Sequence, residues 1–151
     1  MRHPRWARVL FSDDDFEAIA AMVTEAERHT SAEIRVHLER RLPRGTDAFT
    51  RAGHVFTHLK MDATAERNGV LLYLAIEDRA LAIVGDSGVH ARVGDDYWQR
   101  VRDAMVARLR SGAARDAVVH AVTDVGLVLQ KFFPRRRDDR NELSDEVSLG
   151  S

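Results

Sequence analysis

His54 and His58 stand four residues apart, the spacing at which two imidazoles on one helix face can hold a metal ion. The apolar stripe of the same segment runs through Ala52, Val55 and Leu59, which puts His54 almost opposite the stripe and His58 on its flank. No glutamate follows His54, as a zinc hydrolase would require, so a solvated helix face accounts for the pair. Gly85-Asp86-Ser87-Gly88 has the composition of a phosphate-cradling loop. It lacks the lysine and the spacing of a P-loop, and Asp95-Asp96 at the start of the next helix would repel phosphate unless a cation intervened. A strand-ending turn is its simplest reading. No serine lies in a nucleophile elbow, and no Ser-His-Asp order suggests a triad. The chain has no cysteine, which excludes disulfides, thiolate zinc sites and thiol nucleophiles.

A further constellation emerges once the elements that must position it are laid out. Gly69 to Ile76 is a nearly unbroken apolar run, the pattern of a strand covered on both faces. Glu77-Asp78-Arg79 interrupts it with turn chemistry, and Leu81, Ile83 and Val84 resume it, so the two runs make an antiparallel hairpin. Upstream, Ile34, Val36 and Leu38 alternate with Arg35, His37 and Glu39, a strand with one wet or lightly covered face. Between them, Thr46 or Asp47 can cap a helix whose stripe is Ala48, Ala52, Val55, Phe56 and Leu59. Strand, helix and strand make a crossover, so the first two strands run parallel.

Three more helices follow from the apolar spacing. Ser12 with Asp13, Asp14 and Asp15 opens one that runs to about His29. Asp95-Asp96 opens another that buries Trp98, Val101, Met105 and Leu109. The last spans about Ala114 to Phe132 and is ended by Pro134. The sum is a small α/β layered sandwich with a mixed sheet and about four helices. Val70, Leu72, Leu74, Ile76, Trp98 and Leu129 are its expected core, with Trp98 packed on the sheet.

This topology brings Glu33, Asn68 and Asp86 to one edge of the sheet, with Ser87 and Asp95 on the loop beside them. Oxygen ligands from several loops are what calcium or magnesium requires. Glu33, Asn68, Asp86 and Asp95 are therefore the candidate metal ligands, and neighbouring Arg67 is the candidate phosphate-binding residue. Glu77, Asp78 and Arg79, at the opposite edge, make a turn and an exposed ion pair.

Composition narrows the function classes. The length of 151 residues fits one domain, read as residues 1–137 with a polar tail over 138–151. A net charge of −1 supplies no general attraction to nucleic acid or membrane, and no aromatic residues interleave with basic ones. The first eleven residues lack the apolar centre of a signal peptide, and no run reaches the ~20 apolar residues of a membrane span. A cytoplasmic protein is expected.

Asn68-Gly69-Val70-Leu71, followed by Glu77-Asp78-Arg79 and then Gly85-Asp86-x-Gly88, resembles the TPM domain family. That family includes a thylakoid-lumen acid phosphatase, a photosystem II repair factor, an acetylcholine-receptor modulator and many bacterial proteins. Thr30-Ser31-Ala32-Glu33 is similar to the family's first-strand start, and Phe133-Pro134 with Asn141-Glu142-Leu143 to an ending of stand-alone bacterial members. The resemblance runs roughly from Thr30 to Asp145. It implies a Rossmann-like layered fold, divalent-cation binding and, for some members, acid phosphatase activity. Two positions depart from the commoner pattern: Arg67 stands where many members have Asp, and His90 where many have an acid. Both remove negative charge from the presumed cation edge. The expectation is a module that binds a protein partner, with a weak calcium or magnesium site. The alternative is a metal-assisted phosphomonoesterase at the same edge.

Overall fold

The two apolar runs form the centre of the sheet. In the computed structural model, which describes residues 3–135 and 147–150, β2 (Val70–Ala75) is buried at all six positions. It pairs antiparallel with β3 (Ala80–Gly85) in an unbroken register from Val70–Gly85 to Ala75–Ala80. The hairpin turn is closed by polar groups. Arg79 adopts the left-handed conformation, with φ at 50°. The Asp78 carboxylate accepts the Leu42 N–H at 2.6 Å, and Glu77 accepts from Arg40 and Arg41.

On the other side of β2 lies β1 (Ile34–Glu39), parallel and paired from Ile34–Val70 to Glu39–Ala75. The crossover is α3 (Ala48–His58), capped by Asp47, whose carboxylate accepts the Thr50 N–H at 2.7 Å. Beyond β1, Ser148 and Leu149 add a short parallel strand, β4, giving the order β3-β2-β1-β4.

Two apolar layers cover the sheet. One face carries Ile34, Val36, Leu38, Leu72, Leu74, Leu81 and Ile83 against the long helices. These are α2 (Asp13–Glu27), α4 (Ser87–Arg110) and α5 (Ala114–Phe132). The other face packs Leu71, Tyr73, Ala75 and Ala82 beneath α3 and Met61. The α2 start is a reciprocal capping box: the Asp15 N–H donates to the Ser12 hydroxyl, and the Ser12 N–H to the Asp15 carboxylate. The fold is thus the α/β layered sandwich expected, with a crossover, a hairpin and a mixed sheet.

Several local expectations change. The helix expected to open at Asp95 begins earlier, at Ser87, and breaks at Gly94, where φ is 75°. Polar residues dominate 90–96, which hid the first segment. A four-residue helix, α1 (Arg5–Arg8), precedes α2 and buries Ala7, with Phe11 following into the core. The β1 face expected to be wet or lightly covered is closed at two of its positions: His37 and Glu39 are 5% and 4% exposed, while Arg35 is half-buried. Trp98 and Ile76 are half-buried rather than fully buried. The tail reading of residues 138–151 did not anticipate β4; Asn141-Glu142-Leu143 lies outside the described residues.

Candidate functional site

The β1 start is fixed from both sides in sequence. Thr30 donates its hydroxyl to the carbonyls of Leu129, on the last helix, and of Phe133, just past its end, and that same hydroxyl accepts the Ala32 N–H at 3.1 Å. The buried Glu27 carboxylate accepts the Ile34 N–H at 2.8 Å. Glu33 is therefore delivered to the sheet edge by the ends of α2 and α5. Its carbonyl accepts the Val70 N–H at 2.8 Å, while the Asp86 N–H donates to Gly69 at 2.9 Å. The register places Ile34, Val70 and Gly85 in one row. Glu33, Gly69 and Asp86 follow at the same edge, with Asn68 one residue further.

The glycine loop owes its composition to close approaches. A Cβ on Gly85 would overlap the Trp98 indole, and one on Gly88 would overlap the Glu66 carbonyl. The Gly88 N–H donates to the Arg67 carbonyl at 2.8 Å, so the first turn of α4 and the segment entering β2 are held backbone to backbone. Asp86 is the N-cap residue of α4, and its carboxylate accepts the Ser87 N–H at 2.7 Å.

The candidate ligands do not share one environment. Glu33 and Asn68 are buried, at 1% and 2% exposed. The Asn68 amide donates to the Ser31 hydroxyl at 3.3 Å, and its N–H to Thr64 at 3.2 Å. The Asp86 carboxylate is engaged by Arg67 through Nε at 2.8 Å and Nη2 at 2.9 Å. Asp95 is fully outside, its side chain 94% exposed, and lies 3.5 Å from His90 Nε2. The Trp98 indole donates to His90 Nδ1 at 3.2 Å. That bond selects the His90 tautomer with its proton on Nε2, facing Asp95. Among the described residues, no group of three His, Cys, Asp or Glu side chains is placed to hold a metal ion. His54 and His58 are exposed on α3, as the helical wheel expects.

A second polar cluster escaped the sequence reading. Glu39, on β1, accepts from Tyr73 at 2.7 Å and from Arg51 Nε at 3.1 Å, and its Oε1 lies 3.4 Å from His37 Nε2. His37 Nδ1 is 2.9 Å from the Ser148 hydroxyl. Burial lowers the His37 pKa, partly opposed by Glu39 and reinforced by Arg51 and Arg35. Burial alone would raise the Glu39 carboxyl, but the bonds from Arg51 and Tyr73 outweigh it and hold the pKa low. Burial, then the Glu39 carboxylate, push the Tyr73 phenol upward. The signal for this cluster was Tyr73: a phenol inside a run buried on both faces needs a partner.

An open α/β sandwich, with polar residues gathered where strand starts meet a glycine loop, defines the class. The chain belongs to the TPM domain family, whose model matches residues 7–128. It is similar to the BA42 protein of the psychrophilic bacterium Bizionia argentinensis, at 39% identity and a TM-score of 0.84. That match covers 93% of this chain and 95% of the other. The amino-terminal domain of a P. gingivalis protein shares the fold at 21% identity and a TM-score of 0.65, over 81% and 78% of the two chains. So does that of cg2496 from Corynebacterium glutamicum, at 17% and 0.62, over 85% of each. The curated proteins contain no match. No helix among the described residues is long and apolar enough to cross a membrane.

Proposed function

We propose that this TPM domain is a cytoplasmic protein-binding module whose glycine-loop edge holds calcium or magnesium only weakly. The observation that carries the reading is the two-bond pairing of Arg67 with Asp86. A divalent cation and a guanidinium compete for the same carboxylate oxygens, and the guanidinium is supplied by the chain itself. Binding a cation through Asp86 therefore requires Arg67 to swing out. Its side chain is 54% exposed, which permits that movement at the expense of affinity. In this reading Glu33, Asn68 and Asp86 supply oxygens, Asp95 joins only from the rim, and the affinity falls near 10⁻⁴–10⁻³ M, on the order of the weaker oxygen sites.

The second reading is a metal-assisted phosphomonoesterase. It is favoured by the same row of strand starts, which gathers carboxylates near an arginine able to hold phosphate. Calcium titration of the native chain, watched by thermal unfolding and amide shifts, tests the first reading. A shift confined to Glu33, Asn68 and Asp86 without p-nitrophenyl phosphate hydrolysis is the expected outcome. Metal-dependent hydrolysis abolished by Asp86→Ala would replace the module with the enzyme.

A further inference from the structure

β3 is an outermost strand of the sheet, and among the described residues no strand pairs with its outer edge. Its register fixes which backbone groups face outward. The Asp86 N–H donates to Gly69, so Asp86–Gly69, Val84–Leu71 and Ala82–Tyr73 are the pairs that exchange bonds in this antiparallel ladder. The N–H and C=O groups of Leu81, Ile83 and Gly85 therefore point away from β2. Two-residue spacing of such groups is the template for another strand. Free edges are ordinarily blunted by charge, proline or a bulge. Ala80-Leu81-Ala82-Ile83-Val84-Gly85 carries no charge and no proline, and its pairing with β2 has no bulge.

The edge is also recessed. A groove of about 630 Å³ follows it along every residue from Leu81 to Gly85. One wall is the start of α3, where Phe49 is 66% exposed. The other is the α4 segment after Gly94, where Trp98 lies over Gly85 and is steadied by His90. A strand added here alternates its side chains between these two walls, meeting an aromatic ring on each. The fixed charges of the lining are Asp47, Asp95 and Arg102, an excess of one carboxylate. A second copy of this chain suits the groove less well. Its own β3 is recessed between the same walls, so helix meets helix before strand reaches strand.

We propose that the β3 edge accepts an extended segment of a partner protein as an added strand, apolar at alternate positions and carrying a basic side chain. The proposal rests on the binding-module reading and names where and how that module binds. Affinity comes from the main-chain bonds to Leu81, Ile83 and Gly85, and selectivity from the Phe49 and Trp98 walls.

The test is selection of random ten-residue peptides on the full folded chain, followed by amide hydrogen exchange with a selected peptide. In the free protein the Leu81, Ile83 and Gly85 amides should exchange faster than those of Ala82 and Val84. The peptide should slow those three by about tenfold or more and leave the other two unchanged. Phe49→Ala, at an exposed position that leaves the core intact, should weaken binding by about tenfold, the scale of a contributing interface aromatic. Methylating alternate peptide nitrogens should abolish binding. Protection that appears without peptide as protein concentration rises would overturn the proposal in favour of self-pairing. Peptides that map to Glu33, Asn68 and Asp86 would overturn it while leaving the module reading intact. Failure to enrich any peptide would overturn the edge proposal alone, because the module reading also admits folded partners, which short peptides do not sample.

Discussion

The Arg67 guanidinium faces the Asp86 carboxylate with both Nε and Nη2, at 2.8 and 2.9 Å, joining the start of β2 to the cap of α4. Asp86 is 7% exposed, so losing Arg67 leaves its carboxylate in a largely buried position. Arg67→Ala should lower stability, because the Asp86 carboxylate loses its partner, with the loss limited by the exposure of the arginine. It should also strengthen calcium binding. Urea unfolding with and without calcium measures both, and weaker calcium binding in the variant would refute the competition between cation and guanidinium.

Trp98 is half-buried over Gly85 and donates to His90. Trp98→Ala should cost about 2–3 kcal/mol, less than the ~3–5 of a fully buried aromatic. Gly85→Ala should also destabilise, because its Cβ would displace the same indole. Denaturant titrations of both single variants and the double variant check this. The glycine change should cost markedly less once the indole is gone, and additive costs would contradict the contact.

Tyr73→Phe removes one donor from Glu39 and leaves the ring in place. A loss of about 1–2 kcal/mol is expected for a buried acceptor deprived of a partner. Arg51→Ala should act on the same carboxylate, so the two losses should be non-additive in a double-mutant cycle.

Acid should loosen the β1–β4 region in two stages. His37 is held below its ordinary value of 6.5, so the unfolded chain binds that proton more readily. Stability should therefore fall as the pH drops beneath about 6.5. Glu39, held below its ordinary 4.5, stabilises the fold above that pH and loses its contribution as the pH falls through its folded value. Unfolding free energy followed from about pH 8 to well below pH 4.5 measures both limbs. His37→Gln should remove the upper limb and spare the lower, and an unchanged upper limb in that variant would assign it elsewhere.

Deleting residues 147–151 removes the pairing of Ser148 and Leu149 with His37 and Leu38 and the hydroxyl beside His37. A cost of about 1–2 kcal/mol is expected from lost hydrogen bonds and the partly buried Leu149. Faster exchange of the β1 amides beside the missing strand is the direct readout.

The hairpin, the crossover and four of the helices were legible in the residues. The buried run Val70–Ala75, the polar turn at Glu77-Asp78-Arg79 and the helical spacing of apolar residues are local patterns, and local patterns specify element type. The same topology placed Glu33, Asn68 and Asp86 at one edge, because parallel and antiparallel pairing leave no other arrangement of those strand ends. What the pattern could not supply was which polar groups find one another. Arg67 reads as a phosphate ligand in isolation, yet the hairpin register sets it beside Asp86. Arg35, His37 and Glu39 alternate like a wet face, but α3 and β4 close over His37 and Glu39, and Tyr73 and Arg51 answer the carboxylate. Ser87 to Val93 has no strong apolar period, and its helix exists because Asp86 caps it and Gly88 packs against the Arg67 backbone. β4 owes its place to β1, which offers a free edge to two residues whose own sequence is too short to define a strand. Element type is a property of neighbouring residues, whereas burial and charge pairing depend on contacts between segments far apart in the chain, and those only the tertiary structure decides.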